Sequence, residues 1–192
     1  MGSIIVPTSY FPPIKYFRNI QNNITTIECF EHYSKRSIRN RTQILHKNGL
    51  QLLTVPIIKK NYSKTLIKDI RISNQTWIKH HLNSIKSCYG SSPFFIYYFN
   101  DLAGILNKKH SFLLDLNNEI LFYLLKTITI TPHISYTYYY NKNIKQNKDK
   151  RNFKDEVDLT KPYQQVFTND FVKNLSIIDL IFNTGPESKK YI

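Results

Sequence analysis

The segment from Phe30 to Pro56, around which we organise the prediction of the fold, reads F-E-H-Y-S-K-R-S-I-R-N-R-T-Q-I-L-H-K-N-G-L-Q-L-L-T-V-P. It turns through Asn48-Gly49 into an apolar run from Leu50 to Ile58. Two extended segments joined by a short loop that ends in Gly are typical of a β-hairpin. We therefore predict a hairpin here. Its second strand is expected to be buried on both faces, because it is almost entirely apolar.

The first half of this stretch carries the densest set of hydrogen-bonding side chains in the chain. Because side chains alternate sides along a strand, Arg39 and Arg41 are expected to share one face, about 7 Å apart. Two guanidinium groups at that spacing form a good clamp for a phosphate or a carboxylate. The alternative, which the sequence leaves open, is that these arginines pair with Glu31, Asp69 or Asp179 and serve only the fold.

Composition describes a folded, strongly basic protein. The chain has 192 residues, of which 41% are hydrophobic and 14% aromatic, and its length favours a single domain over residues 1–192. A formal net charge of +14 raises a nucleic-acid-binding hypothesis, because basic surfaces attract phosphate. Heavy use of Lys, Ile, Asn and Tyr with little Gly and Ala instead indicates drift towards A/T-rich codons, which leaves many lysines as solvated surface.

Several classes of protein are disfavoured by the sequence. The two cysteines, Cys29 and Cys88, match no zinc-binding or redox spacing, and no metal or cofactor motif occurs. The start of the chain lacks the pattern of a signal peptide, and no apolar run reaches the ~18 residues that cross a bilayer. We therefore predict a reduced, cytoplasmic protein with no transmembrane segment, no metal and no cofactor.

Hydrophobic periodicity outside the hairpin predicts further strands and several helices. The strands are expected at Ile4–Val6, Thr25–Phe30 and Ile134–Tyr140. The helices are expected after Pro12-Pro13, over Trp77–Tyr89 and Phe94–Leu106, and after the capping residues Ser111 and Ser176. These elements predict an α/β (α+β) fold in which helices pack on a central, mostly antiparallel sheet.

The segment of residues 141–154 is polar and strongly basic, without apolar periodicity, which predicts a mobile loop. It is the best local candidate for contact with a nucleic-acid backbone, although it lacks interleaved aromatic residues for base stacking. The alternative is a solvated insertion.

A candidate pocket follows from bringing these elements together. We expect its walls to come from the Pro7–Tyr10 turn, the Tyr33–Arg41 segment and the Trp77–His80 end of a helix. The predicted substrate-binding residues are Tyr10, Tyr33, Lys35, Arg39, Asn40, Arg41, Trp77 and Asn174, with Asn174 closing the pocket and Lys35 orienting or neutralising charge. The predicted proton-transfer residues are His32 and His80.

Motifs along almost the whole chain resemble those of the WbqC-like family, bacterial proteins named from an O-antigen gene cluster. They are P-T-S-Y-F-P-P-I-K-Y-F (7–17), Y-S-K-R-S-I-R-N-R-T-Q-I (33–44), D-I-R-I (69–72), W-I-K-H-H (77–81), Y-G-S-S-P-F-F-I-Y-Y (89–98) and N-L-S-I-I-D-L-I-F-N-T-G-P (174–186). The segment R-N-R (39–41) is the most specific of them. Val6 and Arg36 depart from the pattern, since Gln is common at both positions in the family.

The resemblance implies a role in building or decorating surface-polysaccharide sugars, such as acyl or aminoacyl transfer onto an amino sugar. The leading hypothesis is a cytoplasmic transferase acting on an activated, phosphate-bearing sugar such as a nucleotide-sugar, whose anion Arg39 and Arg41 would hold. The second hypothesis is a non-enzymatic nucleic-acid-binding module that uses the lysine surface and the 141–154 loop. The third is a scaffold for a biosynthetic complex, which an exposed apolar patch would reveal.

Overall fold

The computed structural model describes residues 2–58, 64–153, 159–168 and 170–192, which contain five strands and five α-helices. The strands are β1 (Gly2–Pro7), β2 (Asn23–Glu28), β3 (Arg41–His46), β4 (Gly49–Thr54) and β5 (Ile134–Tyr136). The helices are α1 (Ile14–Gln21), α2 (Thr76–Tyr89), α3 (Phe95–Asn107), α4 (Leu113–Thr127) and α5 (Ile177–Thr184). Short 3₁₀ helices lie at Ile67–Asp69 and Gly185–Tyr191.

The larger sheet is parallel. β1, α1 and β2 form a strand–helix–strand unit whose two strands are neighbours, with Val6 opposite Ile27. β5 lies on the other side of β2 and is also parallel to it, so the strand order is β1-β2-β5. The predicted central, mostly antiparallel sheet is therefore wrong, and the fold is α+β with a separate antiparallel pair, β3-β4. The physical reason is the crossover: a helix between two adjacent strands returns the chain in the same direction.

The hairpin predicted at Asn48-Gly49 is confirmed as the β3-β4 pair. Gly49 has a φ of 109°, a conformation that glycine adopts at little steric cost. The expectation that the second strand is buried on both faces is wrong, since Leu50 and Leu52 are 56% and 50% exposed whereas Leu53 is buried. A separate two-stranded sheet packs only one face on the core, and the apolar side chains of its other face stay in solvent.

The carboxyl-terminal end of the basic segment packs against the parallel sheet. The main chain of Ile5 in β1 donates to Lys148 at 2.9 Å and accepts from Lys150 at 2.8 Å. The side chain of Arg151 is buried. The predicted mobility of residues 141–154 stays a prediction, and Lys154 lies outside the described residues. These contacts nevertheless attach residues 148–151 to the outer edge of β1.

Most of the predicted helices are confirmed, and they enclose the core. α2 and α3 begin within one residue of their predicted starts, and Ser176 caps α5 by accepting from the main-chain nitrogen of Ile178. Ser111 does not cap α4, because that helix begins later, with Phe112 at its N-cap. Fully buried side chains such as Ile85 of α2 fill the interior. Within the described ranges, no helix combines the length and apolar composition that crossing a bilayer requires.

Candidate functional site

Three cavities surround the segment of residues 33–43, which leads into β3. The polar cavity has about 860 Å³, the apolar cavity about 720 Å³, and the small cavity about 210 Å³. Arg36 lines all three, and Arg41 lines the apolar and small cavities. The basic segment singled out by the sequence is thus the wall that the three cavities share.

The polar cavity lies beyond the carboxyl ends of the parallel strands. Its wall includes Glu31, shortly after β2, and Tyr140, shortly after β5. Lys15, in the first turn of α1, also lines it. The crevice outside the carboxyl ends of parallel strands is a common position for ligand sites in open sheets. The topology therefore puts this cavity where a ligand is expected.

Arg39 is neutralised within the wall of the polar cavity. Its Nε and Nη2 atoms donate to Oε1 and Oε2 of Glu31 at 2.7 and 2.5 Å, and Nη2 also donates to the main-chain oxygen of Arg151 at 3.4 Å. Both side chains are buried. Burial raises the pKa of Glu31, and the Arg39 guanidinium opposes that shift. Arg39 therefore pairs with Glu31, which is the alternative that the sequence left open to an anion-binding role for Arg39.

A second buried guanidinium, that of Arg151, connects the basic segment to the sheet. Its Nε and Nη2 atoms donate to Oδ1 and Oδ2 of Asp149 at 2.9 and 2.6 Å, and Nη1 donates to Oε2 of Glu28 at 3.1 Å. Hydrogen bonds from Arg151 hold the pKa of Asp149 below its usual range. The other oxygen of Glu28 accepts from the main-chain nitrogen of Phe30 and the hydroxyl of Thr137, both at 2.8 Å. The carboxylates of this network are thus engaged by partners within the chain.

The small cavity differs from this network of paired charges. Among the described residues that line it, two are arginines and none is acidic. That wall consists of Pro13, Arg36, Ser37, Ile38, Arg41, Thr42, Gln43, Leu52 and Asn174. Within the described part of the chain, the guanidinium groups of Arg36 and Arg41 form no ion pair or hydrogen bond, and Nε of Arg41 is buried without a partner. Two arginines with no acid in the same wall form a surface that favours binding of an anion.

Backbone strain is found at the same cavity. Arg36 and Asn174 have φ values of 53° and 61°, and they are two of the five non-glycine residues with positive φ among those described. The left-handed conformation costs about 1–2 kcal/mol for most residues, although Asn tolerates it better. Strained residues tend to cluster at functional sites, and here both line one cavity.

The apolar cavity has residues 55–58 on its wall, in the order Val, Pro, Ile and Ile. The hydroxyl of Tyr33 donates to Oδ1 of Asn40 at 2.7 Å, and Nδ2 of Asn40 donates to the main-chain oxygen of Val55 at 2.8 Å. The amide of Asn40 is thus satisfied from within the wall, which leaves a mainly apolar surface towards the cavity.

Comparison with known proteins identifies the family. A sequence profile of the WbqC-like protein family matches residues 8–159 and 150–191. The chain belongs to the WbqC-like protein family. It is similar to the uncharacterized protein Rv1507c of Mycobacterium tuberculosis, with 26% identity over 226 aligned residues that cover 98% of this chain and 96% of that protein. No solved structure shows significant similarity to the chain.

In this member of the WbqC-like family, the predicted substrate-binding residues divide into two groups. Those that line cavities are Tyr33, Lys35, Asn40 and Arg41 in the apolar cavity, Arg39 in the polar cavity, and Asn174 in the polar and small cavities. The other two are buried in the core. The hydroxyl of Tyr10 is 2.8 Å from Nδ1 of His81, and the ring of Trp77 lies edge-on to the same imidazole at 4.8 Å.

The two predicted proton-transfer residues lie elsewhere. His32 and His80 are both exposed, and neither lines any of the three cavities. The main chain of His32 bridges to Leu66, whereas His80 lies on α2. Their role in proton transfer stays a prediction.

Arg39 and Arg41, which the sequence predicts to share one face, line no common cavity among the three. β3 begins at Arg41, so Arg39 precedes the strand and the alternation of side chains does not apply to it. The structure instead places Arg36 beside Arg41 around the small cavity. Sequence reasoning missed Arg36 because no periodic pattern marks a residue in a turn. It missed the Arg151–Glu28 pair because 123 positions separate the two residues.

Proposed function

We propose that this WbqC-like protein binds a phosphate-bearing small molecule whose anion is held by Arg36 and Arg41 in the small cavity. The observation that carries the proposal is that two arginines, Arg36 and Arg41, line one cavity and that no acid is among the described residues of its wall. Guanidinium groups bind phosphate through two parallel hydrogen bonds, which makes arginine well suited to this role. Arg39, in contrast, already has Glu31 as its partner.

The polar cavity supplies room for the rest of such a molecule. It shares Arg36, Ser37, Ile38, Gln43 and Asn174 with the small cavity, so a ligand anchored by its phosphate can extend into it. Its volume of about 860 Å³ lies within the range typical of small-molecule sites. Polar and charged residues dominate its wall, which suits a sugar or a nucleoside better than a hydrocarbon.

We extend the proposal to a transferase that modifies an activated amino sugar, by acyl or aminoacyl transfer, during surface-polysaccharide biosynthesis in the cytoplasm. This extension is supported by the setting from which the WbqC-like family takes its name and by the polar cavity next to the anion site. His32 and His80 are its predicted proton-transfer groups. Replacing each with Asn and measuring transfer onto a nucleotide-linked amino sugar is the test of that assignment.

The anion site is tested by ligand binding to three variants. Isothermal titration with a nucleoside-diphosphate sugar such as UDP-N-acetylglucosamine is expected to show binding to the wild type. Arg36→Gln and Arg41→Gln should each weaken binding at least about tenfold, because each removes a charged hydrogen-bonding group. Lys47→Gln is the matched control, since it removes one positive charge from the exposed turn of the same hairpin.

The proposal predicts that the control variant binds within about twofold of the wild type. Equal weakening in all three variants would mean that only the general positive charge attracts the ligand. Unchanged binding in Arg36→Gln and Arg41→Gln, with normal circular dichroism, would place the anion elsewhere.

A second candidate function is binding of single-stranded nucleic acid. Tyr138 and Tyr139 are 87% and 70% exposed, and exposed Lys142, Lys145 and Lys148 follow them. Exposed aromatic rings beside lysines are the components of a base-stacking surface. Affinity for an oligonucleotide should then fall steeply as salt rises, with a slope set by the number of phosphates neutralised. A shallow slope, or binding that survives replacement of Tyr138 and Tyr139 by Ser, would reject this function.

A further inference from the structure

The apolar cavity differs in chemistry from the anion site that it adjoins. Its wall at residues 55–58 is apolar, and Ile58 remains 47% exposed there. Arg36 and Arg41 belong to both this wall and that of the small cavity, so the two cavities adjoin at these arginines. Among the described residues, no acid lines the apolar cavity.

We propose that the apolar cavity is a binding site for the hydrocarbon part of an organic anion whose charged group is held by Arg36 and Arg41. The inference rests on the proposed anion site and adds the chemical class of what is attached to the anion. The ligand is an amphipathic phosphate, with its charge at the arginines and its chain along residues 55–58.

The hydrogen bonding of the wall supports a hydrocarbon over a sugar. The amide of Asn40 bonds to Tyr33 and to the main chain of Val55, so both of its ends are used within the protein. A sugar that lies along residues 55–58 would bury hydroxyl groups against carbon, which is unfavourable without partners. A hydrocarbon chain would instead cover apolar surface such as the side chain of Ile58.

The volume of the cavity supports a chain of several carbons. A volume of about 720 Å³ is much larger than a phosphate group needs, and the small cavity of about 210 Å³ lies beside it for the charged end. Affinity should therefore depend on both the charge and the length of the ligand.

The test compares inorganic phosphate with methyl, butyl and hexyl phosphate by isothermal titration at low salt. Each methylene group that enters the cavity is expected to strengthen binding about fourfold. Ile58→Ser should flatten this dependence on chain length while leaving the affinity for inorganic phosphate unchanged. Leu50→Ser is the matched control, because Leu50 is a similarly exposed apolar residue, in β4, that lines none of the three cavities.

The inference is supported if affinity rises with chain length in the wild type and in Leu50→Ser but not in Ile58→Ser. It is overturned if inorganic and hexyl phosphate bind equally well, a result that leaves the proposed anion site intact. It is also overturned if Ile58→Ser keeps the full dependence on chain length, since the chain would then bind elsewhere. Absence of all phosphate binding, or binding that Arg36→Gln and Arg41→Gln leave unchanged, would reject the anion site itself.

Discussion

Replacing Glu31 by Gln is the most informative perturbation of this protein. Glu31 accepts two hydrogen bonds from Arg39 in a buried setting, at 2.7 and 2.5 Å. The variant keeps the size of the side chain but removes its negative charge. It therefore leaves the guanidinium of Arg39 buried without a counter-charge, next to the polar cavity.

The expected loss follows from the exposure of the two side chains, which is 6% for Arg39 and 10% for Glu31. Removing one partner of a buried ion pair typically costs about 3–5 kcal/mol, because the remaining charge is uncompensated. We expect the lower end of this range, since the Gln amide oxygen can still accept one hydrogen bond. Replacing both residues, as Glu31→Gln with Arg39→Met, should cost much less than Glu31→Gln alone, because no buried charge remains.

Urea denaturation monitored by circular dichroism measures these differences as free energies of unfolding. Glu187→Gln serves as the matched control, since the Glu187–Lys190 ion pair is largely exposed. Loss of this pair should not change the free energy of unfolding measurably. A cost below about 1 kcal/mol for Glu31→Gln would refute the reasoning. It would mean that Arg39 does not depend on Glu31, and Arg39 would then be available to a ligand after all.

Three further predictions concern stability. Burial lowers the pKa of His81 to about 4, so the folded state favours the neutral imidazole. The free energy of unfolding should therefore be highest above the pKa of His81 in the unfolded chain and should fall as the pH drops towards 4. Relative to His81→Asn, which does not titrate, the wild type should lose roughly 3 kcal/mol between pH 7 and pH 4 in urea titrations. Gly185→Ala should lower the melting temperature, because a Cβ there would lie 2.4 Å from an aromatic ring and φ is 53°. Gly104→Ala should raise the melting temperature, because Gly104 lies inside α3 with open space around it and alanine favours the helix. Ile44→Ala should lower the free energy of unfolding by about 2–5 kcal/mol, because Ile44 is fully buried. Leu50→Ala on the same hairpin should lower it by less than about 0.5 kcal/mol, because Leu50 is exposed. Equal losses would show that the hairpin does not pack only one of its faces on the core.

The location of the candidate site could be read from the sequence, but its geometry could not. The dense polar stretch around Tyr33 to Arg41 does form the shared wall of the three cavities. The expectation that Arg39 and Arg41 act together depends on a predicted strand that includes Arg39, whereas β3 begins at Arg41. Because a shift in a strand boundary changes which side chains are neighbours, spacing alone could not show which two arginines line one cavity.

Local structure could be predicted from short segments of the chain: the Asn48-Gly49 hairpin, the helices of residues 76–89 and 95–107, and the Ser176 cap. Membership of the WbqC-like family could be predicted from its motifs. Turn chemistry, capping and hydrophobic periodicity act over a few residues, so they are legible in the order of the amino acids. Tertiary structure alone decided that the larger sheet is parallel, that Glu31 neutralises Arg39, and that Arg36 and Arg41 share a cavity. These outcomes depend on which segments pack against each other, and that choice is made by the burial of the whole core rather than by any short stretch of the chain.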